Sequence, residues 1–142
     1  MQRFISNSVE ETLDIAKEFA RGLKGGEVIL LEGVLGSGKT VFVKGVAEVL
    51  KIDDIITSPS FSVMNIYEGK LRLYHFDLYR IDDLLEIEEL LMDYLYLPES
   101  VVMIEWGYKA KDILKDYFVI TIELEGERRI ITIERINNDS IR

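Results

Sequence analysis

The sequence predicts an α/β protein whose central sheet contains both parallel and antiparallel strands. Residues 28–31 form a short apolar run, which a glycine-rich turn separates from a run with helical spacing at 41–50. Residues 101–104 are uninterruptedly apolar, as is typical of a parallel strand buried on both faces. Two strictly alternating runs, 117–124 and 128–135, predict an antiparallel hairpin with one solvated face.

The remaining segments fit this fold class and contain no linker, repeat or low-complexity stretch. We therefore expect a single domain over residues 1–142. The first segment is a helix that follows a capping box at 8–11 and ends in the glycine-bearing stretch 22–26. A turn-like segment at 53–60 precedes two strand-like runs, 61–67 and 70–76, which suggest a hairpin. A helix at 84–91 and an irregular segment at 94–98 follow.

The composition narrows the class of protein. With 142 residues, 48% of them hydrophobic, the chain can bury a substantial core. No apolar run approaches the roughly 20 residues that cross a bilayer, and the N-terminus lacks the apolar core of a signal peptide, so we expect a cytoplasmic protein with no membrane partner. The net charge of −9 argues against nucleic-acid binding as the main activity, and the absence of cysteine excludes thiol catalysis and zinc–thiolate sites.

Residues 33–40, with the sequence GVLGSGKT, have the pattern of a phosphate-binding loop between a strand and a helix. Glycines let backbone N–H groups approach an anion closely, and the helix N-terminus adds N–H donors that have no partner within the helix. Lys39 would contact the phosphates and Thr40 the Mg²⁺ that bridges them. The pattern predicts a three-layer fold like that of the P-loop nucleoside triphosphatases. The candidate nucleotide-binding residues of the loop are Gly33, Leu35, Gly36, Ser37, Gly38, Lys39 and Thr40.

A nucleoside triphosphatase needs a carboxylate near the metal, usually at the end of a strand beside the phosphate loop. Glu105 directly follows the buried run 101–104, and we prefer it as the Mg²⁺-associated acid. Asp77 follows residues 73–76, which look like a half-exposed strand, and it would hold a metal-bound water or orient the attacking one. The alternative for either acid is a solvated residue at a strand end.

Other residues are open to two interpretations. His75 is the only histidine and titrates near neutral pH in its unperturbed form, but a lone histidine two residues before an acid is more often structural. Arg80 can stabilise charge on a transferred phosphate, although surface arginines are commoner. Trp106 belongs either to the core or to the nucleotide or partner surface. Ser8 and Thr12 in the first helix are candidates for the adenine pocket.

Four segments together resemble one family. The phosphate loop, the sequence TSPSF at 57–61, the sequence HFDLYR at 75–80 and the tripeptide IEW at 104–106 recur in this order in the TsaE (formerly YjeE) family. The resemblance covers nearly the whole chain. A phosphate loop alone is shared by hundreds of unrelated enzymes, whereas this combination is far more specific.

The resemblance implies an ATPase of tRNA threonylcarbamoyladenosine biosynthesis that uses ATP and Mg²⁺ and is weak alone. It would act with TsaD and TsaB, which attach threonylcarbamoyl to the adenosine beside the anticodon, and the partners would hold the tRNA. Asp77 and Glu105 match the family's two site acids. The resemblance implies that these two acids and Lys39 are the catalytic residues. We also expect Thr12 and Trp106 to contact the bound nucleotide. The switch-like loop of the family matches Thr57, Ser58 and Ser60.

The sequence departs from the family pattern at three places. Ser60 replaces the usual threonine, Gly107 replaces a proline after the Glu-Trp pair and suggests a looser turn, and residues 90–97 lack a glycine often found there. Two alternative functions remain open. One is a small-molecule kinase with the same loop, which normally needs a lid and basic acceptor-binding residues. The other is a nucleotide-dependent binding module without useful hydrolysis.

Overall fold

The computed structural model describes residues 1–138, in which seven strands form one sheet with helices on both faces. Residues 139–142 of the predicted domain lie outside the described residues. No helix within 1–138 has the length and apolarity needed to span a membrane. The elements are β1 (Gln2–Ser6), α1 (Val9–Ala20), β2 (Val28–Glu32), α2 (Lys39–Val49), β3 (Met64–Tyr67), β4 (Arg72–Asp77), α3 (Leu84–Leu91), β5 (Ser100–Glu105), a 3₁₀ helix (Gly107–Ile113), β6 (Asp116–Glu125) and β7 (Arg128–Asn137).

The strand order is β1-β7-β6-β2-β5-β4-β3. β2 pairs in parallel with β5 on one side and with β6 on the other, and β4 pairs in parallel with β5. β1, β3 and β7 pair antiparallel with their neighbours. The predicted α/β fold with a mixed sheet and two hairpins is therefore confirmed. Because β2, β4 and β5 all end at one edge, the residues that follow them meet where open α/β sheets bind ligands.

The sheet separates two hydrophobic cores, which gives the three predicted layers. Ile29 and Leu31 of β2 belong to the core beneath α1 and α2, whereas Val28 and Leu30 belong to the core beneath α3 and the 3₁₀ helix. All four side chains are almost completely buried. Coverage of both faces explains why the strand is an uninterrupted apolar run in the sequence.

Helices α1 and α2 pack closely beside the phosphate loop. The predicted capping box starts α1, since Ser8 Oγ accepts a hydrogen bond from the Glu11 main-chain N–H at 3.1 Å. The Glu11 carboxylate accepts from the Asn7 N–H at 2.9 Å rather than from Ser8 itself. At the crossing of the two helices, a Cβ on Gly45 would lie 2.6 Å from the Ala16 Cβ. The glycine therefore allows the two backbones to approach.

The structure differs from the sequence prediction in four respects. β1 and the 3₁₀ helix were not predicted, because β1 is a short, mostly exposed edge strand and the 3₁₀ helix has no apolar period. The first strand of the 61–67 prediction begins only at Met64, because Val63 has φ 70° and interrupts the extended backbone. The half-exposed strand predicted at 73–76 was wrong: β4 is buried from Leu73 to Asp77 between β3 and β5.

Candidate functional site

The loop between β2 and α2 has a backbone that suits close approach of an anion. Gly36 and Gly38 have φ values of 81° and 114°, which side chains rarely adopt, and a Cβ at either position would meet no atom within 4 Å. The space beside both glycines is therefore open, and α2 begins immediately after them at Lys39. Open space, main-chain donors and a helix N-terminus together fit a phosphate group.

Other parts of the loop are fixed by contacts with the rest of the protein. A Cβ at Gly33 would lie 2.6 Å from Ser37 Oγ and 2.7 Å from the Ile122 carbonyl oxygen, so only glycine fits there. Arg129 at the start of β7 donates from Nε to the Ser37 carbonyl at 2.9 Å. The Ser37 hydroxyl is buried and has no hydrogen-bond partner among the described residues. Leu35 is 95% exposed, so its side chain does not fix the loop.

The Lys39 ammonium lies within the loop, where three different groups surround it. Its Nζ donates to the Gly33 carbonyl oxygen at 2.7 Å and lies 3.8 Å from Glu105 Oε1. The Trp106 ring centroid is 5.5 Å away, within the range of a cation–π contact. The lysine side chain is largely buried. The structure thus brings together Lys39, Glu105 and Trp106, which the sequence analysis selected separately.

The two candidate acids stand side by side at the end of the sheet. Asp77 ends β4 and Glu105 ends β5, and the register of the two strands pairs them directly. Both side chains are buried, which removes the alternative of solvated strand-end acids. Asp77 Oδ1 accepts a hydrogen bond from the Tyr79 N–H at 2.9 Å, whereas Glu105 Oε2 lies 2.8 Å from His75 Nε2.

A third acid near the loop, Glu32, was missed by the sequence analysis. It ends β2 directly before Gly33 and accepts a hydrogen bond from the Tyr108 N–H at 2.9 Å. Burial raises the pKa of the Glu32 carboxyl above its ordinary value, although that hydrogen bond and the Lys39 charge act in the opposite direction. The sequence signal existed, because Glu32 follows an apolar strand in the same way as Glu105.

A cavity of about 370 Å³ extends from the loop toward the start of α1. It brings the candidate adenine-pocket residues Ser8 and Thr12 next to Gly36–Gly38. The Thr12 side chain is buried, with its hydroxyl 2.7 Å from Ser6 Oγ. Trp106 is not part of this cavity and lies instead against Lys39. The remaining lining residues are Val9, Val41, Glu127 and Arg129.

The predicted switch-like loop is followed by Val63, whose backbone contacts one of the site residues. The hydroxyls of Ser58 and Ser60 are hydrogen-bonded to each other at 2.7 Å. Within residues 1–138, no hydrogen bond joins Thr57, Ser58 or Ser60 to the phosphate loop. The Val63 carbonyl instead accepts from the Asp77 main-chain N–H at 2.8 Å. Val63, and not the predicted loop itself, is therefore hydrogen-bonded to the acid at the end of β4.

The segment after Asp77 is held by one lysine of the 3₁₀ helix. Lys109 Nζ donates to the carbonyl oxygens of Leu78, Tyr79 and Ile81 at 2.9, 3.1 and 3.1 Å. It also donates to Asp82 Oδ1 at 2.8 Å. We call this set of contacts the Lys109 clamp. Its four acceptors come from a segment about thirty residues distant in sequence, which no local pattern reveals.

Exposed rings lie beside this segment. The Tyr79 ring centroid is 4.9 Å from that of Trp106, and the Arg80 guanidinium lies 4.9 Å from the centroid of the exposed Phe61 ring. Trp106 itself adopts φ 58°, and the 3₁₀ helix starts directly after it at Gly107. The turn after Glu105 is therefore a defined 3₁₀ turn rather than the looser turn expected from Gly107.

Comparisons with known proteins agree with the resemblance noted in the sequence. Residues 6–132 match the family described as "Threonylcarbamoyl adenosine biosynthesis protein TsaE". Similar proteins include two relatives that carry the name tRNA threonylcarbamoyladenosine biosynthesis protein TsaE. The one from Bacillus subtilis (strain 168) is 41% identical over 131 residues, which cover 92% of this chain and 75% of that protein. The one from Treponema pallidum (strain Nichols) is 37% identical over 132 residues, covering 90% and 97%.

A solved structure shares the fold. The crystal structure of YdiB, attributed to Bacillus subtilus, superposes with a TM-score of 0.81 at 34% sequence identity. The match covers 96% of this chain and 86% of that one. Sequence and structure comparisons therefore point to the same group of proteins.

Proposed function

Because the chain belongs to the TsaE family, we propose that it is the ATP-hydrolysing protein of tRNA threonylcarbamoyladenosine biosynthesis, acting with TsaD and TsaB. The observation that carries the ATPase assignment is the position of Lys39. Its ammonium lies between the Gly33 carbonyl and Glu105, so the lysine of the phosphate loop and a strand-end acid share one site. That combination is what phosphoryl transfer from a nucleotide requires.

ATP would bind with its phosphates over Gly36–Gly38, where the backbone is open. Lys39 would then exchange the Gly33 carbonyl, a neutral acceptor, for a phosphate oxygen, a charged and stronger one. Thr40 and Glu105 would hold Mg²⁺, because hydroxyl and carboxylate oxygens suit this ion. Bound Mg²⁺ would neutralise charge on the phosphate oxygens. Asp77, directly beside Glu105, would orient the attacking water.

The cavity next to Thr12 would take the adenosine part of the nucleotide. Its volume of about 370 Å³ is adequate, since ligand pockets commonly measure about 300–1,000 Å³. It opens directly from the glycines that would hold the phosphates. Ser8 and Thr12 supply hydroxyl groups, and Val9 and Val41 supply apolar walls for a base.

The partner role also belongs to this proposal. A weak ATPase that resets a transferase complex needs a connection between its site and its surface. The segment from Thr57 to Val63 provides one, because the Val63 carbonyl is bonded to the Asp77 N–H. A net charge of −9 is compatible with tRNA being held by TsaD and TsaB rather than by this chain. The proposed location is the cytoplasm.

The test is ATP hydrolysis by the protein assembled with TsaB and TsaD. Lys39→Ala and Glu105→Ala should each abolish turnover while the far-ultraviolet circular dichroism stays that of the folded protein. Lys44→Ala is the matched control, because Lys44 lies on the exposed side of α2 outside the site and should retain full turnover. Wild-type turnover in either site variant would refute the assignment.

The two alternative functions predict different results in the same assay. A small-molecule kinase would transfer the terminal phosphate to a metabolite without TsaB and TsaD, and the family membership does not favour this. A binding module without useful hydrolysis would capture its partners with ATP even after replacement of both Asp77 and Glu105. Turnover that depends on those acids excludes it.

A further inference from the structure

His75 is the only histidine, and its side chain is completely buried inside β4. Its Nε2 lies 2.8 Å from Glu105 Oε2 on the neighbouring strand. We propose that His75 is a positioning residue that holds Glu105 by its Oε2 atom and thereby leaves Oε1 as the oxygen presented to the phosphate site. The proposal rests on the proposed function, because it assigns Glu105 a task there.

The strand register makes this contact a property of the sheet. His75 pairs with Met103, and Asp77 pairs with Glu105. His75 and Glu105 are therefore diagonal neighbours on the same face of two adjacent strands, a separation that long side chains can bridge. Because both residues lie in buried strands rather than loops, the imidazole is a rigid support for the carboxylate.

The hydrogen-bonding requirements define which ring nitrogen carries the proton. A carboxylate oxygen accepts, so Nε2 must donate. His75 Nδ1 is buried and has no partner among the described residues. A neutral imidazole carries one N–H, so a donating Nε2 leaves Nδ1 with a lone pair. We therefore assign the Nε2–H tautomer.

The two oxygens of Glu105 are thus divided between two partners. Oε2 accepts from His75, and Oε1 lies 3.8 Å from Lys39 Nζ, too far for a direct hydrogen bond. Without the histidine donor, the carboxylate is free to turn and form a closer ion pair with Lys39. That pair would compete with both the phosphate and the metal for these two side chains. His75 therefore keeps the Glu105 carboxylate away from the Lys39 ammonium, so that the acid can bind the metal and the lysine can bind the phosphate.

The first test compares two substitutions of the histidine. His75→Gln retains a side-chain N–H donor, whereas His75→Leu removes it at similar volume. Mg²⁺ affinity is measured by isothermal titration in the presence of saturating ADP, alongside ADP affinity without metal. His75→Leu should weaken Mg²⁺ binding by about 10–100-fold, as loss of such supporting contacts does in other metal sites. His75→Gln should retain most of the affinity.

A double-mutant cycle separates positioning from a general structural effect. In a Glu105→Gln background, His75→Leu should cause little further loss of Mg²⁺ affinity, because its effect acts through the Glu105 carboxylate. Unchanged Mg²⁺ affinity in His75→Leu, or equal further loss in the Glu105→Gln background, would overturn the proposal. If the wild-type protein itself binds ADP without any influence of Mg²⁺, the proposed function fails as well.

The second test needs no ligand, activity or variant at position 75. Nitrogen-15 NMR of the wild-type imidazole should show the proton bonded to Nε2 and a lone pair on Nδ1, and the Nε2 signal should shift in Glu105→Gln. A proton on Nδ1 alone would contradict the assigned hydrogen bond and overturn the proposal, whatever the ATPase assay shows. This result remains decisive if His75→Leu does not fold.

Discussion

Asp77 and Glu105 are direct partners in the register of two parallel strands, yet different groups hold their carboxylates. Asp77 accepts from the Tyr79 main-chain N–H in the segment that follows it. Glu105 is placed between His75 and the lysine of the phosphate loop. The site therefore contains two neighbouring acids in separate environments, which suits two different tasks.

We predict that Asp77→Asn impairs hydrolysis without impairing nucleotide binding. Asparagine retains the oxygen that accepts from Tyr79 N–H, so the loop should keep its conformation. Turnover in the TsaB–TsaD assembly should fall by about 10²–10⁴-fold, because a neutral amide orients the attacking water less strongly than a carboxylate does. Single-turnover hydrolysis and ADP titration measure the two effects. Asp93→Asn, on an exposed residue, is the control, and equal turnover in both variants would exclude Asp77 from the chemistry.

Glu32→Gln should stabilise the protein near neutral pH. The pKa of Glu32 is raised in the folded state, chiefly by burial, so the folded protein binds a proton here more tightly than the unfolded chain does. The stabilising contribution of that proton is complete below the unfolded pKa and is lost as the pH rises through the folded pKa. Glutamine removes the partly buried charge while its oxygen still accepts from the Tyr108 N–H.

Thermal unfolding measured at several pH values checks this prediction. The Tm of Glu32→Gln should exceed that of the wild type at pH 7, and the difference should shrink as the pH falls toward the ordinary pKa of a glutamate. Glu89→Gln, on the exposed face of α3, should show no such trend. A lower Tm for Glu32→Gln at pH 7 would mean that the Glu32 charge stabilises the loop.

Removal of the Lys109 clamp should loosen the segment after Asp77. Lys109→Met keeps the aliphatic stem but leaves the Leu78, Tyr79 and Ile81 carbonyls without this donor. We expect a loss of about 1–3 kcal/mol in the free energy of unfolding, because part-buried and exposed carbonyls lose hydrogen bonds from a charged donor. Urea titration measures it, and Lys111→Met, on the exposed side of the same helix, should change stability little.

Gly45→Ala should destabilise the packing of α1 on α2, although alanine is the better helix former. The new methyl group would lie 2.6 Å from the Ala16 Cβ and 2.9 Å from the Leu13 carbonyl oxygen. Overpacking of this kind costs about 1–3 kcal/mol. Ala16→Gly in the same chain should recover part of the loss, because the contact with Leu13 remains. A stability equal to the wild type in the single variant would contradict the close helix crossing.

The position of the glycine-rich loop between a strand and a helix, and that of Glu105 at a strand end, could be predicted from sequence because their signals are local. A strand followed by a glycine-rich turn needs only adjacent residues, and an acid directly after an apolar run marks a strand end. The neighbours of a strand are not local information. β4 was expected to be half-exposed because nothing within residues 72–77 shows that β3 and β5 flank it. The role of His75 was open for the same reason.

The contacts missed by sequence reasoning connect distant parts of the chain. The Lys109 clamp joins the 3₁₀ helix to the segment after β4, and Arg129 reaches the phosphate loop from a hairpin about ninety residues later. Such pairs follow from the tertiary fold rather than from periodicity or spacing. Glu32 differs from these contacts, because its position directly after an apolar strand is a local signal.

The strained conformation of Val63 affects how easily its loop can move. A β-branched residue at φ 70° stores free energy on the order of 1–3 kcal/mol. Lifting the segment would release that energy and break the hydrogen bond to the Asp77 N–H. The hydrogen bond to Asp77 therefore holds Val63 in a conformation that is unfavourable by itself. The relief of this strain lowers the free energy needed to displace the segment. A partner protein that binds the exposed Phe61 would therefore displace the segment more easily than the hydrogen bonds of the segment alone suggest.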